Sequence, residues 1–124
     1  MSAPALTLPL NCLLGGLTPA ERAVTLAQCE MVELVTGDIL CEPDAPYAHA
    51  YFPLRGVIAL VTIMGRYRPL EMGLIGNEGM LGATLALGVG TAPMRALVQG
   101  SGTAWRITRE RFQQELLTNP GLRR

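Results

Sequence analysis

Near the N-terminus the apolar positions recur every three or four residues. Leu10, Leu13, Leu14 and Leu17 fall on one helical face, and Gly15-Gly16 ends that short helix. Thr18-Pro19-Ala20-Glu21 opens a second helix. Thr18 supplies a capping hydroxyl, Pro19 suits the first helical position, and Glu21 completes a capping box. Ala23, Leu26 and Ala27 form its expected apolar stripe.

From residue 30 the periodicity shortens to that of strands. Met31-Val32-Glu33-Leu34-Val35 reads as a strand, with a turn at Gly37-Asp38. Ile39-Leu40-Cys41 follows, closed by Glu42-Pro43-Asp44-Ala45-Pro46. Then come Tyr47 to Leu54, a turn at Arg55-Gly56, and the apolar run Val57 to Met64. A turn over Gly65 to Arg68 leads to Leu70 to Ile75, and further strands run through Arg95 to Gln99 and Ala104 to Ile107. About eight short strands at nearly regular spacing predict a mainly β fold, an antiparallel barrel or jelly roll. Thr108 caps a final helix in which Phe112, Leu116 and Leu117 share a face, and Asn119-Pro120-Gly121 stops it. With no internal repeat or linker, residues 1–124 are expected to form one domain.

Composition narrows the chemistry. The ten cationic residues are all arginine, balanced by ten acidic ones, and His49 is the one histidine. Without lysine there is no P-loop or Schiff-base lysine, and one histidine cannot supply a two- or three-histidine metal site. Zero net charge is unfavourable for nucleic-acid binding. Cys12, Cys29 and Cys41 make neither an even disulfide set nor a CxxC pair, and are expected as ordinary buried or half-buried residues. Met1 to Leu10 lacks a basic segment and is broken by Pro4 and Pro9, unlike a signal peptide. No apolar run approaches the ~20 residues of a membrane helix. A reducing cytoplasm, no membrane partner and no cofactor are expected.

The segment most suited to chemistry is Leu74-Ile75-Gly76-Asn77-Glu78-Gly79-Met80-Leu81-Gly82. Its glycines let a ligand approach the backbone, and its exposed N–H groups can form an anion nest. A lone carboxylate among them, Glu78, suits a ribose hydroxyl better than a phosphate. Elsewhere, Trp105 reads as core packing, and His49, beside Tyr47 and Tyr51, as polar surface rather than part of a pocket mouth. Arg106, Arg109, Arg111, Arg123 and Arg124, interrupted by Glu110 and Glu115, read as a solvated face.

The ordered set of Gly37-Asp38, the Glu42 to Pro46 turn, Tyr51-Phe52-Pro53 and Arg55-Gly56-Val57 resembles the sensory domain of the Crp/Fnr transcription regulators. Gly76-Asn77-Glu78-Gly79-Met80-Leu81-Gly82 resembles the Gly-Glu-Leu segment of that family's phosphate-binding cassette, with altered spacing. Thr108 to Asn119-Pro120 resembles the helix that ends its barrel. The resemblance implies a double-stranded β-helix with two short N-terminal helices and a C-terminal helix, holding a small-molecule or nucleotide effector. It also implies that a cassette Arg neutralises a cyclic phosphate and that the Glu binds the ribose. Here Ala92, or Met94 if the turn is shorter, stands where that Arg belongs. Arg95 is the nearby cation, and alternation turns it away from the side of Ala92, Met94, Ala96 and Val98.

The cassette-like residues Gly76, Asn77, Glu78, Gly79 and Met80, with Ala92, Met94 and Arg95, are therefore the expected ligand site. The expected function is a non-catalytic ligand-sensing module that is not a strong binder of cyclic AMP. The alternatives are a ligand-free interaction or dimerisation barrel and a cupin-type metal enzyme, which the single histidine disfavours. The family's long dimerising helix and helix-turn-helix would follow Leu122-Arg123-Arg124, and nothing in the chain reads as a recognition helix. No specific DNA binding by this chain alone is expected, and a homodimer would use the terminal helices.

Overall fold

The computed structural model describes residues 11–62, 70–88 and 90–118. Helix α1 (Cys12–Gly15) starts at Asn11, whose side chain accepts from the N–H groups of Leu13 and Leu14. One turn of helix can aim few residues inward. Leu14 is fully buried and Leu17 nearly so, whereas Leu13 is 46% exposed, so the expected four-leucine face narrows to two. Leu10 lies outside the described residues.

Helix α2 (Pro19–Ala27) begins with the expected capping box: Glu21 N–H donates to Thr18 Oγ1 at 3.2 Å, and Thr18 N–H donates to Glu21 Oε1 at 2.9 Å. Its inward face differs from the expected stripe. Thr25 is buried and Leu26 half-buried, while Ala23 and Ala27 are exposed. Arg22 shares the inner face and donates to the carbonyls of Leu14, Gly15 and Leu17, fastening α2 to the end of α1. Arg22, which satisfies backbone carbonyls, and Thr25 occupy the stripe, which a search for apolar spacing overlooks.

The sheet holds β1 (Glu30–Leu34), β2 (Ile39–Cys41), β3 (His49–Thr62), β4 (Leu70–Ile75) and β5 (Arg95–Thr108), all antiparallel. Its order is β1-β5-β3-β4, with β2 also on β5. The expected turn at Arg55-Gly56 and the gap between Gln99 and Ala104 are corrected: β3 and β5 each run unbroken through them for 14 residues. Between them the register shifts from Pro53 to Ile58. Gly56 has φ 92°, and a Cβ on it would lie 2.5 Å from the Gly100 carbonyl oxygen. A Cβ on Gly102 would overlap the Arg55 backbone. Glycine here lets two backbones touch, so both strands bend together as a bulge instead of ending.

Both arms of the bent strands serve one core, in which Phe52 and Ile58 join Leu34, Leu81, Leu85, Val98 and Ile107. Helix α3 (Arg109–Thr118) closes it, with Phe112 edge-on to Phe52 at 6.3 Å. Thr108 Oγ1 accepts from Arg111 N–H at 3.3 Å, as a cap should. The buried face is Phe112, Glu115 and Leu116; Leu117 is 77% exposed, against expectation. At 100° per residue Leu117 sits well off the Phe112–Leu116 line.

Among the described residues no pairing joins β4 to β1, so the sheet wraps the core without closing, and the fold is mainly β and of jelly-roll class. Cys29 and Cys41 are half-buried, but Cys12 is exposed, contrary to expectation, because a one-turn helix turns it outward. No described helix is long and apolar enough to cross a membrane. The readings of Met1 to Leu10, of the Gly65 to Arg68 turn and of Asn119-Pro120-Gly121 lie outside the described residues.

Candidate functional site

The glycine-rich segment leaves β4 as a tight turn in which Gly79 N–H donates to the Gly76 carbonyl at 3.2 Å. Glu78 folds back and accepts from Gly76 N–H at 3.0 Å, and that backbone hydrogen bond holds its carboxyl below the usual carboxylate range. The turn is fastened from behind. Cys12 N–H donates to the Asn77 carbonyl at 2.6 Å, and Asn11 Nδ2 donates to the Gly79 carbonyl at 2.7 Å. Asn11 also donates to the Pro53 carbonyl at 2.9 Å, so one buried amide joins α1, β3 and the turn.

Beyond the turn, Leu81 exchanges hydrogen bonds with Tyr51 at 2.9 and 3.1 Å. Gly82, at φ 99° and against Ala50, then swings the chain into the 3₁₀ helix Ala83–Leu87. Between this swing and the sheet lies a cavity of about 190 Å³. Its walls include Leu60, Ile75, Met80 and Met94, and its polar lining comes from Tyr47 and Thr84. No described lining residue carries a charge. Burial pushes the Tyr47 phenol up, and the neighbouring Thr84 hydroxyl opposes that rise. Thr84 Oγ1 itself is buried, with no partner at ordinary hydrogen-bond geometry.

Of the expected site residues, Met80 and Met94 line this cavity. Gly76, Asn77, Glu78 and Gly79 form the adjoining turn without lining it. Ala92 is 1% exposed, and its backbone pins the preceding turn: Ala92 N–H donates to Ala45 O at 3.0 Å and its carbonyl accepts from Asp44 N–H at 2.7 Å. Arg95 faces outward, its Nε 2.6 Å from Glu42 Oε1 and its Nη2 3.2 Å from Glu42 Oε2. The alternation holds, since Ala96 and Val98 face the core.

Thr84 was not legible as a site residue. Its only signal is a hydroxyl within the apolar run after Gly82. Tyr47, not singled out from the sequence as a site residue, lines the cavity, while His49 is not among the lining residues and lies beside Tyr51 at a ring distance of 6.1 Å. Burial first, and the Arg106 charge second, hold the His49 imidazole below its ordinary value. Trp105 packs on the core as expected. The C-terminal arginines pair locally: Arg106 Nε with Glu30 at 2.8 Å, Arg109 with Glu110 at 3.4 Å, and Arg111 with Gln28 at 3.3 Å. Arg123 and Arg124 lie outside the described residues.

Solved structures share this fold. The N-terminal domain of a transcriptional regulator from Streptomyces coelicolor is 19% identical with a TM-score of 0.72, the match covering 93% of this chain and 80% of that one. The Thermus thermophilus catabolite activator protein is 18% identical with a TM-score of 0.72, over 89% of this chain and 52% of that one. The regulatory subunit of a cAMP-independent protein kinase A from Trypanosoma brucei is 17% identical with a TM-score of 0.74, over 94% of this chain and 43% of that one. At these identities the likeness is one of fold. No curated protein matches the chain by sequence. As a sequence family, the cyclic nucleotide-binding domain matches residues 31–119. The chain therefore belongs to the cyclic nucleotide-binding domain family.

Proposed function

We propose that this chain is a non-catalytic, regulatory ligand-sensing module of Crp/Fnr type, that its site lies around Met80 and Met94, and that cyclic AMP is not its tight ligand. The observation that carries this reading is the disposition of charge. The described cavity lining holds no charged side chain, and the cation nearest in sequence, Arg95, is turned outward onto Glu42. A phosphate buried there would forgo charge-assisted hydrogen bonds worth roughly 1.5–3 kcal/mol each, or about 10- to 100-fold in affinity per bond. Glu78, the carboxylate expected to meet a ribose, is turned back onto Gly76 N–H and is not part of the cavity lining.

The module is further read as cytoplasmic and, on its own, without specific DNA affinity. Titration calorimetry of the chain with cyclic AMP, cyclic GMP and cyclic di-GMP tests the proposal. No saturable heat below millimolar concentration is expected for cyclic AMP. Saturable micromolar binding of cyclic AMP would overturn it.

A further inference from the structure

Resting on the sensing reading above, we infer that the ligand is a small uncharged molecule, mostly hydrocarbon, with one hydrogen-bonding group that meets the Thr84 hydroxyl. Four side chains of the wall, Leu60, Ile75, Met80 and Met94, offer only apolar surface. An ion entering between them would lose its water and gain no counter-charge from the described lining, which strongly disfavours it. The exceptions in the wall are Tyr47 and Thr84; the Thr84 Oγ1 is buried beside the Tyr47 phenol, without a hydrogen bond of ordinary geometry. A hydroxyl in that state costs stability until something supplies its hydrogen bond, and a ligand polar group placed there does so.

Size agrees with polarity. About 190 Å³ corresponds to roughly six waters at the ~30 Å³ each occupies in the liquid. That is room for a short alkyl chain or a single ring. The two methionine side chains are unbranched and polarisable, so the walls can follow the outline of such a guest. Glu78, turned back onto Gly76, and Arg95, paired with Glu42, both lie outside the cavity lining.

The test uses the full chain with methyl-labelled methionines and three probes: 1-hexanol, hexanoate at neutral pH, and cyclic AMP. Hexanol is expected to shift the Met80 and Met94 methyl signals saturably, and hexanoate to bind at least ~10-fold more weakly because its charge must be desolvated. Thr84→Val should weaken hexanol about 3- to 10-fold, the loss of one hydrogen bond, while leaving the unliganded chain folded. Thr84→Ser should retain the binding. Equal binding of hexanoate, or no effect of Thr84→Val, would overturn the ligand class. Saturation by cyclic AMP at the same methyls but not by hexanol would also overturn it, and would leave ligand sensing standing. Saturation by none of the three would overturn both, and mark the barrel as an interaction module.

Discussion

Arg95 and Glu42 hold each other on the outer face of the sheet, Nε 2.6 Å from Oε1, while Ala96, the next residue along the strand, is fully buried in the core. One step of strand alternation thus separates the guanidinium from the interior. The pair is partly exposed, and exposed ion pairs contribute about 0–1 kcal/mol. Arg95→Ala is therefore expected to lower stability by no more than ~1 kcal/mol in urea unfolding and to leave the hexanol response intact. A loss of hexanol binding would show that Arg95 reaches the cavity after all.

Asn11 has a larger expected role. Its amide nitrogen serves the carbonyls of Pro53 and Gly79, and its oxygen accepts from Leu13 and Leu14, all from a fully buried position. Asn11→Ala removes a helix cap and strands two carbonyls, a loss of about 2–3 kcal/mol. Asn11→Asp should fare no better, because a carboxylate cannot donate to those carbonyls. Urea unfolding should show a lower midpoint at unchanged slope.

The bend of β3 and β5 depends on glycine at particular places. Gly102→Ala puts a methyl into the Arg55 backbone, and Gly56→Ala places one at φ 92° against the Gly100 carbonyl. Each should cost more than ~2 kcal/mol, since backbone on both sides must move. Gly73 has open space around its Cβ position and no positive φ, so Gly73→Ala should stay within ~0.5 kcal/mol. Thermal or urea unfolding of the three variants distinguishes a bend that requires glycine from one that tolerates substitution.

Thiol reactivity should rank with burial. Burial first, and the Glu115 charge second, push the Cys29 thiol up to about 11, and burial also raises Cys41. A raised pKa leaves less thiolate at pH 8, and thiolate is the reactive form. Exposed Cys12 should be alkylated by iodoacetamide well before either of the others, as read by peptide mass spectrometry.

His49 gives the acid side of the stability profile. Its folded-state pKa lies below the ordinary 6.5, so the unfolded chain takes up its proton first. The neutral imidazole's contribution is fully present above pH 6.5 and is lost as pH falls from there through the folded pKa. His49→Gln should flatten that part of the curve when unfolding midpoints are compared from pH 7.5 to 5. An unchanged slope would show that other groups carry it.

Much of this structure was legible in advance, for physical reasons that differ by element. The Thr18–Glu21 box, the strand periods and the outward turn of Arg95 follow from local geometry, which needs no partner to be read. The continuity of β3 and β5 was hidden because a glycine that bends a strand leaves the same trace as one that ends it. The polar inner face of α2 and the exposure of Leu117 depend on what each helix meets across the core. Thr84 was missed for the same reason: a hydroxyl becomes informative only when the fold surrounds it.

The most direct test of the charge-free cavity is a cyclic AMP titration of the native chain beside Met94→Arg, followed on the Met80 methyl signal. The native chain should show no saturable shift below millimolar nucleotide. Met94→Arg, with a guanidinium set into the cavity wall, should bind at least ~10-fold more tightly. Micromolar saturation of the native Met80 signal by cyclic AMP would contradict the account, because it would place a phosphate where no described side chain can neutralise it.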